Sequence, residues 1–234
     1  GALGGGPGYR PRAARAGLEQ LTPAAMPWLL AVVAGVKIAH ELGHAAAARR
    51  HGCRVRELGV AFLVFLPCLY VEISSAWALP RRRQRLEIGA AGIAVELLLG
   101  AAAAYLWRFT GPGPVNSAAL YVMAVAWLAS LLVNANPLMR FDGYFILADL
   151  LGLPNLGPRA FARLRYLIRN RWLGWAEALD PARSGREARL LTVYGIAAGL
   201  YRPALGLLVA GAIRARVWGA AGLGLGAVVG WTLL

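Results

Sequence analysis

Apolar stretches long enough to cross a lipid bilayer recur along this sequence and limit the folds open to it. They cover about residues 28–48, 86–107, 116–138 and 190–213, the last with a predicted helix break at Arg202-Pro203, and another begins near Val217. A helix rises about 1.5 Å per residue, so roughly twenty residues cross the hydrocarbon core. Charged residues make up 15% of the chain, against about 25% in soluble domains. The sequence therefore predicts an all-α polytopic membrane protein with about five transmembrane helices.

The interval between the first two apolar stretches has a different character. Residues 55–66 and 69–73 are rich in β-branched and aromatic side chains, and Pro67 stands between them. Such runs predict two short strands. We therefore expect a short β-hairpin between the first and second transmembrane helices.

Composition also divides the chain along its length. Residues 1–24, rich in Gly, Pro and Arg, are predicted to form a flexible basic lead-in. The remaining predicted segments are the membrane core at 25–150, a basic cytoplasmic segment at 151–189 with an amphipathic piece at 161–172, and C-terminal transmembrane helices at 190–234. Because the sequence starts at Gly1 and stops within an apolar run, we expect it to be a piece of a longer protein.

Positive charge lies mainly in arginines between the apolar stretches, with a formal net charge of +14 and one lysine, Lys37. These arginines come with no aromatic RNA-binding motif, so we expect no nucleic-acid partner. By the positive-inside rule the loops after the first and third spans are cytoplasmic, and the arginine run at 81–85 is a topology anchor that meets anionic lipid. Cys53 and Cys68 lie in the first of these loops and are expected to be free thiols.

The segment His40-Glu41-Leu42-Gly43-His44 lies inside the first apolar stretch. On a helix, residues four apart share a face, so both imidazoles can reach one Zn²⁺ ion. The carboxylate of Glu41 lies beside them and can accept a proton from a water that the zinc activates. Ionisable groups within an apolar span are costly and usually functional. The segment therefore predicts a catalytic zinc site with His40 and His44 as ligands and Glu41 as the general base.

A catalytic zinc ion needs a third protein ligand. The extended metzincin pattern is absent after His44, and His51 is expected to face solvent. The remaining candidates are acidic residues: Glu57, Glu72, Glu87, Glu96, Asp142, Asp149, Glu177, Asp180 and Glu187. Spans one and three both end on the cytoplasmic side, so His44 and Asp142 are expected at a similar depth. This topology favours Asp142 and leaves Glu72 as its best competitor.

Two motifs together carry a family resemblance. His40-Glu41-Leu42-Gly43-His44 and the segment at 136–144, NPLMRFDGY, resemble the site-2 protease family of intramembrane zinc metalloproteases, and more closely its bacterial branch of peptide zinc metalloproteases. The similarity extends over about residues 28–172, through 66–70, 91–92, 134–138 and 154–155. It departs from the family at Ile93, where Pro is frequent, and from the branch at Glu72, where Asp is frequent. The resemblance implies that His40, His44 and Asp142 hold zinc and that Glu41 is the general base.

The same resemblance implies hydrolysis of peptide bonds in a membrane-associated or small peptide substrate, inside a bilayer and near its cytoplasmic face. The implied location is the bacterial inner membrane, as a multi-pass protein, and no particular oligomeric state is indicated. The strand predicted over 55–66 offers an edge on which a substrate could add as a β-strand. The rival interpretation is a non-proteolytic component of a peptide export or modification system with structural zinc. Glu41 argues against that rival, because a structural site needs no base.

Four further polar residues in or near the apolar stretches are candidates for roles around the site. Lys37 precedes Glu41 by four residues and could pair with it, although a lysine that snorkels or lines water explains it equally well. Glu96 could orient a zinc ligand from behind or form a buried interhelical hydrogen bond. Asn134 and Asn136 could bind a substrate carbonyl or an oxyanion, or serve as caps and packing groups.

Overall fold

Long apolar helices dominate the computed structural model, which describes residues 26–63, 66–175 and 180–216. The predicted lead-in at 1–24, the predicted fifth span from Val217, and Glu177 lie outside the described residues. Four of the described helices are long and apolar enough to cross a membrane: Pro27–Arg50, Arg82–Phe109, Pro114–Asn134 and Gly185–Gly211. The predicted helical, multi-span fold is confirmed for the part of the chain that the structure describes.

The described residues form two compact units, one of residues 26–59 and 69–135 and one of residues 60–63, 66–68, 136–175 and 180–216. The first unit contains α1 (Met26–Arg50), a 3-10 turn (Ser74–Ala78), α2 (Arg82–Phe109), α3 (Pro114–Leu128) and a π-helical segment (Ala129–Asn134) that continues α3. The second unit contains α4 (Asp142–Leu151), α5 (Leu156–Leu167), a π-helical turn (Ile168–Trp172) and α6 (Gly185–Arg216). The strands β1 (Leu58–Leu63) and β2 (Leu66–Val71) lie in the chain between α1 and α2.

The two strands pair in the antiparallel hairpin that the sequence predicts. Backbone hydrogen bonds from Arg56 N to Glu72 O at 3.3 Å and from Glu72 N to Glu57 O at 2.9 Å extend the pairing beyond the strand ends. Pro67 lies inside β2, so its predicted place between the strands is wrong. Each strand of a two-stranded sheet keeps an outer edge, and proline is tolerated there because that edge requires no N–H donor.

Small residues bring the three helices of the first unit close together. A Cβ atom added to Gly43 in α1 would lie 3.0 Å from the backbone oxygen of Ala91 in α2, and one added to Gly100 in α2 would lie 2.2 Å from Nε1 of Trp127 in α3. Such close approach is typical of helices that pack within lipid. Large apolar side chains lie on the outer surface instead, as Leu98 shows with 70% exposure. This distribution is the one expected for helices whose outer faces contact lipid.

The tight turn at 110–114 fixes the position of α3 against α2. Pro114 is the first residue of α3, where its missing N–H leaves no hydrogen bond unmade. The buried amide of Asn116 donates to the carbonyl oxygens of Trp107 and Thr110 at 2.8 and 3.1 Å. These bonds satisfy carbonyl groups that the end of α2 would leave open.

A small cluster fixes the loop that follows α1. Cys53 packs there with Ala48, Ala76 and Ile88, so the end of α1, the 3-10 turn and the start of α2 share one core. Cys53 is a buried free thiol, as predicted.

In the second unit, α6 continues through Pro203, so the predicted helix break is wrong. Proline is tolerated inside transmembrane helices where neighbouring groups satisfy the backbone that it disturbs. The side chain of Arg202 is buried and donates from Nε to the carbonyl oxygen of Leu138 at 3.0 Å. Its guanidinium carbon lies 5.2 Å from the centre of the Phe161 ring. Arg202 therefore joins α6 to the segment before α4 and to α5.

Candidate metal centre

One turn of α1 places His40 and His44 on the same face, as their spacing predicts. Their Nε2 atoms lie 3.1 Å apart, and the two residues are only 4% and 6% exposed. Two nitrogens bound to one tetrahedral zinc ion, each about 2.1 Å from it, would lie about 3.4 Å apart. The pair is thus spaced as two ligands of a single ion.

The other ring nitrogen of each histidine faces an acceptor on α2. Nδ1 of His44 lies 2.7 Å from the carbonyl oxygen of Ile88, and Nδ1 of His40 lies 3.2 Å from Oε1 of Glu96. A carbonyl or carboxylate oxygen accepts from an N–H, so these two contacts favour the tautomer that has its proton on Nδ1 and its lone pair on Nε2. Nδ2 of Asn134 also lies near Nδ1 of His40, at 3.3 Å. Histidines that bind metal ions are usually held in this way.

Gly92 in α2 leaves the space that the two rings occupy. A Cβ atom at this position would lie 2.5 Å from both Cε1 of His40 and Nε2 of His44, and 2.6 Å from Nε2 of His40. No spacing rule in the sequence identifies this glycine. The sequence signal for Gly92 is the Ala91-Gly92 pair, which belongs to the family resemblance.

Glu96 connects α1 to the end of α3. Its side chain is wholly buried, and Oε1 lies 2.8 Å from Nζ of Lys37 while Oε2 lies 2.6 Å from Oγ of Ser130. Asn134 also donates to Oε2, at 2.7 Å. The sequence left the partner of Lys37 open between Glu41 and solvent, and the structure pairs it with Glu96 instead. Ser130 was not predicted, because one hydroxyl in an apolar stretch fits no motif.

Glu41 and Asp142 are the other two residues that the sequence predicts for the zinc site. Glu41 follows His40 directly in α1 and is half-buried. Asp142 is the first residue of α4, in the second unit, and is also half-buried. In the same unit Asn136 accepts a hydrogen bond from the backbone of Leu138 at 2.9 Å and donates to the hydroxyl of Tyr201 at 2.6 Å. These contacts fit the capping and packing role that the sequence left open for Asn136.

Several of the competing acids already have partners. Ser74 donates to Glu72 from its backbone N–H at 3.2 Å, and hydrogen bonds from the side chain and backbone of Ser74 hold the pKa of the Glu72 carboxyl below its ordinary value. In the second unit Asp180 pairs with Arg163 and Glu187 with Arg159.

His51 does not face solvent as expected. Its side chain is 15% exposed, and its Nε2 lies 2.8 Å from Oε2 of Glu87. The other oxygen of Glu87 lies 2.8 Å from Nε of Arg83. His51 and Glu87 therefore belong to one hydrogen-bonded cluster at the start of α2.

Comparison with known proteins gives one match. No curated protein and no solved structure matches this chain. The model of Peptidase family M50 matches residues 28–112, a little over a third of the chain. The matched segment contains His40, Glu41, His44 and Glu96, and it ends before Asp142. In this segment the chain is similar to Peptidase family M50, the site-2 protease family.

Proposed function

We propose that this chain is a membrane-embedded zinc metalloprotease of the site-2 type, which hydrolyses peptide bonds of a membrane-associated or small peptide substrate. The observation that carries the proposal is the imidazole pair of α1, with Nε2 atoms 3.1 Å apart and each Nδ1 directed at an acceptor on α2. A zinc-binding helix of the His-Glu-x-x-His type requires this arrangement. The match of residues 28–112 to Peptidase family M50 supports the proposal independently of that geometry.

Asp142 is the proposed third ligand. His40, His44 and Asp142 together form a donor set that could hold a metal ion. Two imidazoles and one carboxylate are ligands that zinc accepts, and three protein ligands leave a fourth position for water or substrate. One carboxylate oxygen of Glu72, the best competitor, already accepts a hydrogen bond from Ser74. Gly92 also supports the proposed metal site, because any larger side chain there would fill the space beside both Nε2 atoms.

Glu41 is the proposed general base. A zinc ion, when bound, supplies Lewis-acid polarisation of the scissile carbonyl and makes a water molecule more acidic. The Glu41 carboxylate takes the proton from the attacking water and gives it to the leaving amine. Because it follows His40 directly in α1, Glu41 lies beside the proposed metal-binding face.

The proposed surroundings of the reaction follow from the apolar helices and their charges. Four candidate spans support a multi-pass membrane protein, and the arginine-rich loop between α1 and α2 supports a site near the cytoplasmic face. We propose the bacterial inner membrane as its location, as the family resemblance implies. A peptide must be extended for its amide to reach the site. We propose that the outer edge of β1 receives such a peptide as an added strand.

The substitution Glu41→Gln tests the proposal, because it removes the proton acceptor and keeps the shape of the side chain. Purified wild-type and variant proteins would be compared on a quenched-fluorescence library of apolar peptides in detergent micelles, with zinc content measured on the same samples. We expect the wild type to cleave, chelator to stop cleavage, and Glu41→Gln to hold zinc without cleaving. Equal turnover by the two proteins would refute the role of Glu41. Zinc binding with no cleavage by the wild type would favour the non-proteolytic export or modification component.

A further inference from the structure

Glu96 is a charged side chain in the middle of an apolar helix, and it is 0% exposed. An isolated carboxylate is very costly to bury, so one that remains in a protein interior is paired and hydrogen-bonded. Both oxygens of Glu96 meet this requirement with groups from α1 and from the π-helical segment after α3. The geometry of these contacts assigns the carboxylate more than a packing role.

The two oxygens have separate partners. Oε1 faces α1, where it lies 2.8 Å from Nζ of Lys37 and 3.2 Å from Nδ1 of His40. Oε2 faces the π-helical segment, where it accepts hydrogen bonds from Ser130 at 2.6 Å and from Asn134 at 2.7 Å. Because four groups on two sides hold the carboxylate, it cannot rotate away from His40 without breaking several hydrogen bonds.

We propose that Glu96, with its charge balanced by Lys37, is the positioning residue that sets the metal-binding nitrogen of His40. This inference rests on the proposed zinc site. The carboxylate accepts the Nδ1–H of His40, which fixes the tautomer and makes Nε2 the stronger donor. His44 reaches the same tautomer through a backbone carbonyl, that of Ile88 at 2.7 Å. The two histidines thus differ in what fixes their tautomer. For His40 it is a side chain, which can be substituted, and for His44 it is a backbone carbonyl.

Lys37 completes this arrangement. It is the single lysine among 25 basic residues, and it lies one helical turn before His40, on the same face of α1. An ammonium group is compact and donates in several directions, whereas a guanidinium group has a planar fork that suits a two-oxygen contact. Oε1 of Glu96 must accept from Lys37 and from His40 together, so a single-point donor fits here. Lys37 therefore places a positive charge beside one oxygen of the buried carboxylate and leaves its contact with His40 in place.

A purely structural role would have different consequences. If Glu96 served only to join helices, the loss of any of its hydrogen bonds would weaken the fold and leave the zinc affinity of the folded protein unchanged. Ser130 offers the matched comparison, because its hydroxyl contacts Oε2 and does not contact either histidine among the described contacts. Ser130→Ala thus removes one interhelical hydrogen bond and leaves the carboxylate beside His40.

The experiment measures two quantities on the full chain in detergent: zinc affinity by competition with a fluorescent chelator, and thermal unfolding of the zinc-free protein. The variants are Glu96→Gln, Ser130→Ala, Lys37→Met and the double variant Lys37→Met/Glu96→Gln. We expect Glu96→Gln to weaken zinc binding by about 10- to 100-fold, the usual effect of losing such a partner, and Ser130→Ala by only a few-fold. Lys37→Met should unfold at a lower temperature than the double variant, because it alone leaves a buried carboxylate without its counter-charge.

The outcomes separate this inference from the proposed function. A wild type that binds zinc, with Glu96→Gln binding it equally well or losing no more affinity than Ser130→Ala, would overturn the positioning role and leave the zinc site intact. Additive effects of Lys37→Met and Glu96→Gln on unfolding would refute the charge pairing. A wild type that binds no zinc would overturn both proposals. Glu96→Asp is a conservative check. Its shorter side chain keeps the charge but should not reach His40, so this variant should bind zinc more weakly than the wild type.

Discussion

Gly92→Ala should remove zinc from this protein by adding a single methyl group. The new Cβ atom would lie 2.5 Å from Cε1 of His40 and 2.5 Å from Nε2 of His44. Non-bonded carbon atoms are in contact at about 3.5–4.0 Å, so each ring would have to move by about 1 Å. Neither ring can move freely, because each is held at Nδ1 from α2.

The size of the effect follows from the narrow range of distances that a metal ion allows between itself and its ligands. Ligand distances hold to within about 0.2 Å in a working site, so a displacement of about 1 Å should cost at least about 100-fold in zinc affinity. The added methyl group should also destabilise the zinc-free protein by about 1–3 kcal/mol, the usual cost of overpacking. Zinc content after purification and chelator competition would measure the first quantity, and thermal unfolding without zinc would measure the second.

Two glycines provide matched controls for this substitution. Gly100→Ala overpacks the same helix against Trp127, where the Cβ would lie 2.2 Å from Nε1, and should lower stability while zinc is retained. Gly35→Ala meets nothing within 4 Å and should leave both quantities near wild type or raise stability by up to about 1 kcal/mol. The reasoning fails if Gly92→Ala binds zinc as well as the wild type, or loses no more of it than Gly100→Ala.

Two further predictions concern the third ligand and the topology. Asp142→Ala should lower the zinc content of the purified protein far more than Glu72→Ala. If the Asp142→Ala protein keeps one full zinc ion and the Glu72→Ala protein loses it, Glu72 is the third ligand. On a cysteine-free background, a cysteine at position 82 should react from the cytoplasm and one at position 113 from outside. The 28 residues of α2 between them span about 42 Å, enough to cross a bilayer; reaction of both from one side would contradict the topology.

The spans and the histidine pair could be predicted because both depend on local periodicity. A transmembrane helix needs only length and apolar composition, and two ligands on one helix need only a four-residue spacing. The HELGH segment satisfies both conditions at once, within the first apolar stretch. The structure adds to this the direction of each ring, which depends on α2.

The partners of Glu96 could not be predicted, because they depend on which helix faces meet. The rule that residues four apart on a helix can pair predicted Glu41 as a partner of Lys37. The observed partner, Glu96, is 59 residues away in sequence. The meeting of these faces depends on close contacts such as that of Gly43 with Ala91 and on the Asn116 hydrogen bonds after α2. No pattern within one helix contains that information.

Both proline predictions were wrong for a common reason. A sequence rule treats proline as a break because it lacks an N–H and disturbs the backbone before it. Pro67 lies within a strand of a two-stranded sheet, where an outer edge needs no donor. Pro203 lies within a long apolar helix beside a buried arginine. In each case the strand or helix continues through the proline, contrary to the rule.

The ion pair between Lys37 and Glu96 also bears on how the protein enters the membrane. A lone lysine or acid at the centre of a helix costs about 2.5–3.5 kcal/mol on insertion, and α1 has the lowest mean hydropathy of the four candidate spans, 1.3. During synthesis α1 emerges before α2, so its ammonium group has no Glu96 carboxylate opposite it at that stage. That cost is relieved when α2 arrives with Glu96. The arrival of Glu96 thus supplies both the counter-charge of Lys37 and the oxygen that faces Nδ1 of His40.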